Sequence, residues 1–337
     1  MAEKITTKNK ILQFLQDNRG RYVSGEEIAN QIFVTRACVW KNIKTLQNEG
    51  YQIDAVTNKG YRLRTDDITV SAANISEMLK NKGLDMTVEY QSVVASTNEV
   101  LKQRAMDGHS EQVLIAGMQT EGKGRRGRSF YSPAKTGIYF SILLYPEEMM
   151  DRLTHLTAIA AVAVATTIDE VVFDGKDVAA IKWVNDIYIG DRKVAGILTE
   201  GYSSFEDCAD NYVVIGIGIN LYAPADDFPK DIRDTAGYVI RQAGEQACDS
   251  DIAERIIAGT IGKIIDYYAD QDKKQECLDI YRAKSFLIGN YVKINSYRGN
   301  YTYAVARAIS DDYHLVVEYD DKRVEELSSG EVSVVRY

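Results

Sequence analysis

Residues 179–200 read AAIKWVNDIYIGDRKVAGILTE, and residues 212–220 read YVVIGIGIN. Apolar and β-branched residues crowd into four short runs, 179–184, 187–189, 193–200 and 212–220, and only Asn185-Asp186 and Gly190-Asp191-Arg192 separate the first three. Gaps of two and three residues allow hairpins and leave no room for a crossover helix, so these runs predict neighbouring antiparallel strands. Upstream, the pattern predicts strands at 87–93, 113–118 and 138–145, a helix at 97–106 and a long alanine-rich helix at 153–172. Hairpin-length connections dominate. The expectation is an α+β multidomain chain whose central α/β domain is built on a mixed sheet rather than a doubly wound one.

The flanks read differently. Residues 252–283 are helical in pattern, and the tail from 287 to 337 has short Tyr- and Val-rich runs with turns at Gly289-Asn290, Gly299-Asn300, Asp311-Asp312 and Asp320-Asp321, which predicts a small SH3-like β-barrel. At the other end, Ile11, Phe14 and Leu15 form one face of a first helix. Ser24 with Glu27 three residues on is a capping box for a second helix, whose apolar side is Ile28, Ala29 and Ile32. Phe33 and Val34 form a short turn. Thr35 then caps a third helix in which Val39, Ile43 and Leu46 recur at i, i+4 and i+7, opposite Ala37, Lys41, Lys44, Thr45 and Asn48. Two short strands around Asn58-Lys59-Gly60 complete a winged helix-turn-helix. Thr35, Arg36 and Ala37 would enter a major groove, and Lys41, Lys44, Lys59 and Arg62 would reach backbone phosphates. A helical protein-binding module is the alternative for this head. The expected boundaries are 1–65 for the head, 66–85 for a linker helix carrying Ile75, Met78 and Leu79, 86–284 for the central domain and 285–337 for the tail.

Composition agrees with several domains, because 337 residues with 45% hydrophobic content exceed what one core usually organises. The net charge is -9, yet residues 1–64 hold eleven Lys and Arg against six Asp and Glu, a local balance of +5 that leaves -14 on the rest. Only the head is therefore expected to meet the phosphates of a nucleic acid. Cys38, Cys208, Cys248 and Cys277 lie far apart with no C-x-x-C pair, and three histidines add little, which excludes a disulfide framework or a structural zinc site from the expectation. Residues 1–15 lack an apolar signal core, and the apolar run 158–165 is too short to span a bilayer. A cytoplasmic chain without a membrane partner is expected.

Gly122-Lys123-Gly124-Arg125-Arg126-Gly127-Arg128 packs three glycines and four cations into seven residues. Such a loop wants an anion: glycine lets backbone N–H groups approach, and Lys and Arg hold carboxylate or phosphate oxygens. Residues 117–123 also fit G-x-x-x-x-G-K, but Gly124 stands where a P-loop needs a hydroxyl for magnesium. An RGG-like RNA-binding segment is the other alternative. Lys182, flanked by Ile181 and Trp183, is a cation in an apolar neighbourhood and needs an anionic partner.

Ser96-Thr97-Asn98, Gln119, the glycine and arginine loop, Lys182-Trp183-Val184-Asn185-Asp186, the run Arg192-Lys193-Val194-Ala195-Gly196-Ile197-Leu198-Thr199-Glu200 and Ile215-Gly216-Ile217-Gly218-Ile219-Asn220 together resemble the biotin–protein ligases. With the head in front, nearly the whole chain resembles the bifunctional biotin ligases and biotin operon repressors of bacteria. The resemblance implies that Ser96, Thr97, Asn98 and Gln119 bind the biotin ring. It also implies that Lys123, Gly124 and Arg125 close over carboxylate and phosphate, and that Gly122, Arg126, Gly127 and Arg128 shape the loop. Lys182 and Arg125 would be catalytic, with Asn185, Asp186, Gly218 and Asn220 near the nucleotide, and with no protein-held metal beyond the Mg2+ carried by ATP. The implied reaction makes biotinyl-5′-adenylate from biotin and ATP and transfers biotin to a lysine of a biotin carboxyl carrier protein of acetyl-CoA carboxylase. The adenylate-loaded homodimer would bind operator DNA. Val184 stands where the family commonly has proline, Lys123 where it has arginine, and Phe130 where some members have tryptophan; Phe33 replaces a small turn residue. The segment 222–237 resembles the loop that folds over the adenylate. A catalytically silent biotin-sensing repressor and a lipoate-type ligase are the alternatives.

Overall fold

A computed structural model describes residues 6–335 apart from 19–20, 49–50, 52, 64–69, 111, 147–152, 203–210, 225, 241–250 and 296–300. The expected turn at Gly299-Asn300, and Cys208 and Cys248, lie outside the described residues, as does the side chain of Asn48.

In the head, α1 (Thr7–Asp17), α2 (Gly25–Ile32) and α3 (Arg36–Asn48) precede the hairpin β1 (Ile53–Val56) and β2 (Gly60–Leu63). Ser24 Oγ accepts from the Glu27 N–H at 3.0 Å, the expected cap, while the Glu27 carboxylate turns to Arg21 at 2.8 Å. The core is Ile11, Leu15, Ile28, Val39, Ile43, Leu46 and Leu63. It buries the i, i+4, i+7 face of α3, so the hydrophobic period sets which way the helix faces. Gln47 Nε2 donates to Ile53 O at 2.7 Å, tying the helix end to the wing. Gly60 has φ +99°, and a Cβ there would sit 2.1 Å from Val23 O, so only glycine lets the hairpin approach this segment.

The body begins at α4 (Ala72–Lys80). Ser71 and Asn74 both donate to the carboxylate of Glu254, which is 2% exposed, and Ile75 and Leu79 are fully buried. This helix is thus part of the body's core. Then follow β3 (Thr87–Gln91), α5 (Thr97–Met106), β4 (Gln112–Ala116), β5 (Gly137–Leu144), α6 (Leu153–Val172), β6 (Ala179–Lys182), β7 (Asp186–Ile189), β8 (Arg192–Tyr202), β9 (Tyr212–Asn220), α7 (Ile252–Ala269) and α8 (Gln271–Lys284). The seven strands run in the order β3-β4-β5-β9-β8-β7-β6, with β3–β4 parallel and the other neighbours antiparallel. This is the mixed sheet with hairpins that the short connections predict.

Alternation divides the sheet. Ile138, Phe140 and Ile142 of β5 and Ile215, Ile217 and Ile219 of β9 join the core beneath α6 and α7. Leu143 and Val214 lie in a second cluster with Leu101 of α5, and Tyr139 lies in a third. The helix α6 is long and apolar enough to cross a membrane, but 72% of its most apolar stretch is buried inside the protein, where it serves as a core helix. The expected single helical stretch 252–283 is two helices. Asp270 leaves helical geometry at φ -97°, ψ 114°, and its side chain accepts from the Asp272 N–H, capping α8.

The tail forms β10 (Tyr291–Asn295), β11 (Tyr301–Ile309), β12 (Leu315–Glu318), β13 (Val324–Leu327) and β14 (Glu331–Val334). These make a five-stranded antiparallel sheet in the order β13-β12-β11-β10-β14, and among the described residues its two edge strands do not pair into a closed barrel. The expectation of an SH3-like barrel therefore holds only as far as a strand-rich tail. Val292, Ile294, Ala304, Ala306, Leu315, Val317 and Val332 are buried in a cluster continuous with the body's core. Trp183 Nε1 donates to Tyr313 O at 2.8 Å across the same junction.

Candidate functional site

A cavity of about 410 Å³ opens on the α5 side of the sheet. Its floor is β9, whose alternate positions Gly216 and Gly218 carry no side chain for a geometric reason. A Cβ at Gly216 would lie 2.0 Å from Asn98 Oδ1, and one at Gly218 would lie 2.4 Å from the Phe130 ring.

One wall is the start of α5. Ser96 occupies the N-cap position yet its hydroxyl makes no capping bond. The Thr97 N–H and hydroxyl both donate to Gln119 Oε1, at 2.9 and 3.1 Å, and Gln119 Nε2 donates to Ser132 Oγ at 3.0 Å. Asn98 Nδ2 donates to Leu198 O at 3.2 Å and to Glu200 Oε2 at 2.8 Å. The fully buried Ser141 Oγ stands 2.6 Å from both Thr97 Oγ1 and Asn98 Oδ1. Buried polar groups this completely partnered hold one arrangement and discriminate against ligands that cannot match it.

The opposite wall is cationic. Lys182 ends β6 and pairs across the hairpin with Asp186, and its Nζ lies 5.6 Å from the centre of the Tyr188 ring. Burial holds the Lys182 ammonium below the usual lysine range, with Asp186 opposing that shift. Lys193 Nζ is 2.7 Å from Asp186 Oδ1. Asn185 spans the site: its amide donates to Ile197 O at 2.9 Å, and its Oδ1 accepts from Arg125 at 3.1 Å. Asn220 Nδ2 donates to Gly237 O at 2.9 Å, which fastens the segment whose Phe228, Ile232, Thr235 and Ala236 close another side.

The glycine and arginine loop lies between the walls. A Cβ at Gly122 would meet Phe130 O at 2.4 Å, Gly124 N–H donates to Arg128 O at 2.7 Å, and residues 125–127 make one turn of 3-10 helix. Arg126 and Gly127 take left-handed φ values of 57° and 73°. Lys123 pairs with Glu99 at 2.7 Å, and Lys102 and Lys123 together hold that carboxyl below its usual range. Arg128 reaches Glu331 of the tail sheet at 2.6 Å, and Asn295, Gly330 and Ser333 of that sheet also line the cavity. Every residue expected at the ligand site faces this cavity except Gly122 and Gly127, which shape the loop beside it. With Lys123, Arg125, Arg126, Arg128, Lys182 and Lys193 against Asp186 and Glu331, the lining is built for an anionic ligand.

Sequence reasoning missed Ser141, Glu99 and Glu331, and it quoted Glu200 only as the end of a motif, without a role. Ser141 did leave a signal, as the polar residue within the apolar strand IYFSILL. Glu99 had a local partner in Lys102 at i+3 on α5, whereas Glu200 and Glu331 left no local signal because their partners lie far away in sequence.

In the head, Thr35 Oγ1 accepts from the Cys38 N–H at 3.2 Å, capping α3. Arg36, Ala37, Lys41 and Lys44 are exposed along it, together with Trp40, which the periodicity did not single out. Lys59 and Arg62 stand over the Tyr22 ring at 5.7 and 4.5 Å, and Arg62 is also paired with Asp54.

Residues 7–62 match the model of an HTH domain, and residues 90–220 match that of the biotin/lipoate A/B protein ligase family. Over 93% of this chain and 94% of the relative, the sequence is 31% identical to the bifunctional ligase/repressor BirA of Bacillus spizizenii. This chain belongs to the bifunctional ligase/repressor family. The Bacillus subtilis family member is 30% identical over 94% of this chain and 95% of its own length. The fold is shared with the biotin protein ligase of Aquifex aeolicus solved with biotin and ATP, at a TM-score of 0.60 and 24% identity, covering 74% of this chain and 99% of that one. Family membership joins the two parts described above: the ligase model covers the glycine loop and the Lys182 hairpin, and the HTH model covers the head.

Proposed function

We propose that this chain activates biotin with ATP and transfers it to a lysine of a biotin carboxyl carrier protein. The observation that carries the proposal is one cavity with a polar wall at Ser96, Thr97, Asn98 and Gln119 facing a cationic side at Lys182 and Arg125. The polar wall takes the biotin ring, and Lys123, Gly124 and Arg125 close over its carboxylate. Lys182 sits where the carboxylate oxygen attacks the α-phosphorus of ATP; the bond to the β-phosphate breaks and pyrophosphate leaves. Two anions must approach, so fixed cations in the cavity lower the barrier. The acceptor amine then attacks the acyl carbon of biotinyl-5′-adenylate and AMP leaves. Gly122, Arg126, Gly127 and Arg128 hold the loop closed, and Asn185, Asp186, Gly218 and Asn220 face the nucleotide.

Asn185 and Asp186 are hard oxygen donors beside Lys182, a donor set that fits Mg2+ carried on ATP oxygens. Bound there, Mg2+ would neutralise phosphate charge. Among the described residues, no three His, Cys, Asp or Glu side chains cluster as a metal cage of their own.

We further propose that the adenylate-bound homodimer represses transcription at a two-fold operator. The face of α3 with Thr35, Arg36, Ala37, Lys41 and Lys44 enters the major groove, Lys59 and Arg62 of the wing flank it, and boundaries at 65 and 284 set off the head and an SH3-like tail from a ligase domain into which the helix of the 66–85 segment is packed. The basic balance of the head against the acidic body supports this division.

The test is mass spectrometry of a carrier domain after incubation with this protein, biotin and MgATP, with Lys182→Ala beside it. A gain of one biotin with wild type only is expected. No gain despite biotin binding would favour a silent sensor, a gain with lipoate instead would favour a lipoate ligase, and a gain undiminished in the variant would discard the role of Lys182.

A further inference from the structure

Trp40 leaves 57% of its surface in solvent on the same exposed side of α3 as Arg36, Ala37, Lys41 and Lys44, and Phe33, in the turn before that helix, leaves 93%. Both rings are large apolar groups left in water. Phe33 adds a second cost, because it holds the left-handed φ 60°, ψ 51° that glycine or asparagine adopts more readily at a helix C-terminus. The head's core is complete without either ring. Two unfavourable placements on one cationic surface point to an occupant that is anionic outside and apolar within reach. The major groove of DNA has that chemistry: phosphates line its edges, and the 5-methyl of thymine is its apolar element.

We propose that Trp40 is a base-contacting residue that packs its indole on thymine methyl groups in the major groove, with Phe33 adding an apolar contact at the start of the same helix. This rests on the reading of the head as a DNA-binding domain. It also corrects the picture of a small-residue face on α3. Ala37 lets the helix approach, while Trp40 meets the base edges on one flank and Lys41 and Lys44 meet phosphate. Each methyl buried under the indole contributes about fourfold in affinity.

The experiment uses the full-length protein with biotin and MgATP and begins by selecting duplexes from a randomised pool. The selected duplexes are then remade with uracil in place of thymine. Wild type is expected to bind the uracil duplex several-fold more weakly, at an unchanged dependence on salt. Trp40→Ala, at an exposed position, is expected to bind the thymine duplex as weakly as wild type binds the uracil one, to lose the preference, and to keep the salt slope. Phe33→Gly is expected to raise the thermal midpoint while weakening the selected duplex. Equal binding of both duplexes by wild type, or a preference that survives in Trp40→Ala, would overturn the proposal with DNA binding intact. Failure to enrich any duplex would remove the DNA-binding reading and this inference with it. Trp40 fluorescence that responds to protein concentration and not to DNA would assign the patch to a second copy of the chain and overturn it as well.

Discussion

Gly216→Ala places a methyl group on the cavity floor, and its consequence can be worked from distances. The new Cβ would stand 2.0 Å from Asn98 Oδ1, so that oxygen must retreat by about 1.4 Å to reach the 3.4 Å of ordinary contact. Asn98 is 3% exposed and has nowhere to go without breaking its bonds to Leu198 O at 3.2 Å, Glu200 at 2.8 Å and Ser141 at 2.6 Å. Three lost hydrogen bonds at a net ~1 kcal/mol each come to about 3 kcal/mol. That is a large share of a typical domain stability of about 5–15 kcal/mol. Urea unfolding of the wild type, each single variant and Gly216→Ala with Asn98→Ala gives a cycle. With the Asn98 side chain gone, Gly216→Ala should cost under about 1 kcal/mol, a coupling of about 2 kcal/mol. Biotin affinity measured by calorimetry should fall by about tenfold or more with Gly216→Ala, since ~1.4 kcal/mol of lost contact suffices. Equal costs of Gly216→Ala in both backgrounds would refute the idea that Asn98 is held by this glycine.

Because burial disfavours its ammonium, Lys182 has a folded pKa below its unfolded one. The destabilisation is complete below the lowered value and fades as pH rises through it toward the usual lysine range, so ligand-free stability should climb across that window. Lys182→Met should flatten the climb, read by urea midpoints against pH, and should abolish transfer of biotin to the carrier. Lys41→Ala and Lys44→Ala should each weaken duplex binding and lower the slope of log affinity against log salt by about 1, measured by fluorescence anisotropy. Glu331→Gln removes a partner of Arg128, which is 70% exposed, and should change stability by under about 1 kcal/mol in thermal melts while altering the KM for ATP.

Local chemistry made much of this legible. The caps at Ser24 and Thr35 and the 3.6-residue period of α3 are interactions between near neighbours and sit where the pattern predicts, while the expected three-residue gap at Gly190-Asp191-Arg192 shortens to two because Arg192 already pairs with Ile189 in the sheet. The glycine and arginine loop announced an anion from composition alone. Asp270 was harder: an aspartate between two helical runs is indistinguishable from a surface residue until its side chain is seen capping Asp272.

What the sequence by itself determined was the kind of each element and the chemistry it carries, because period, capping and turn residues act within a few positions. The tertiary structure alone decided which elements meet. Ser141 joins Thr97 and Asn98 from more than 40 residues away, and Arg128 finds Glu331 across 203. It also decided that the tail's apolar residues, Val292, Ala304 and Leu315 among them, join one core with the body, since burial rewards apolar surface that is near in space and no local pattern records that distance.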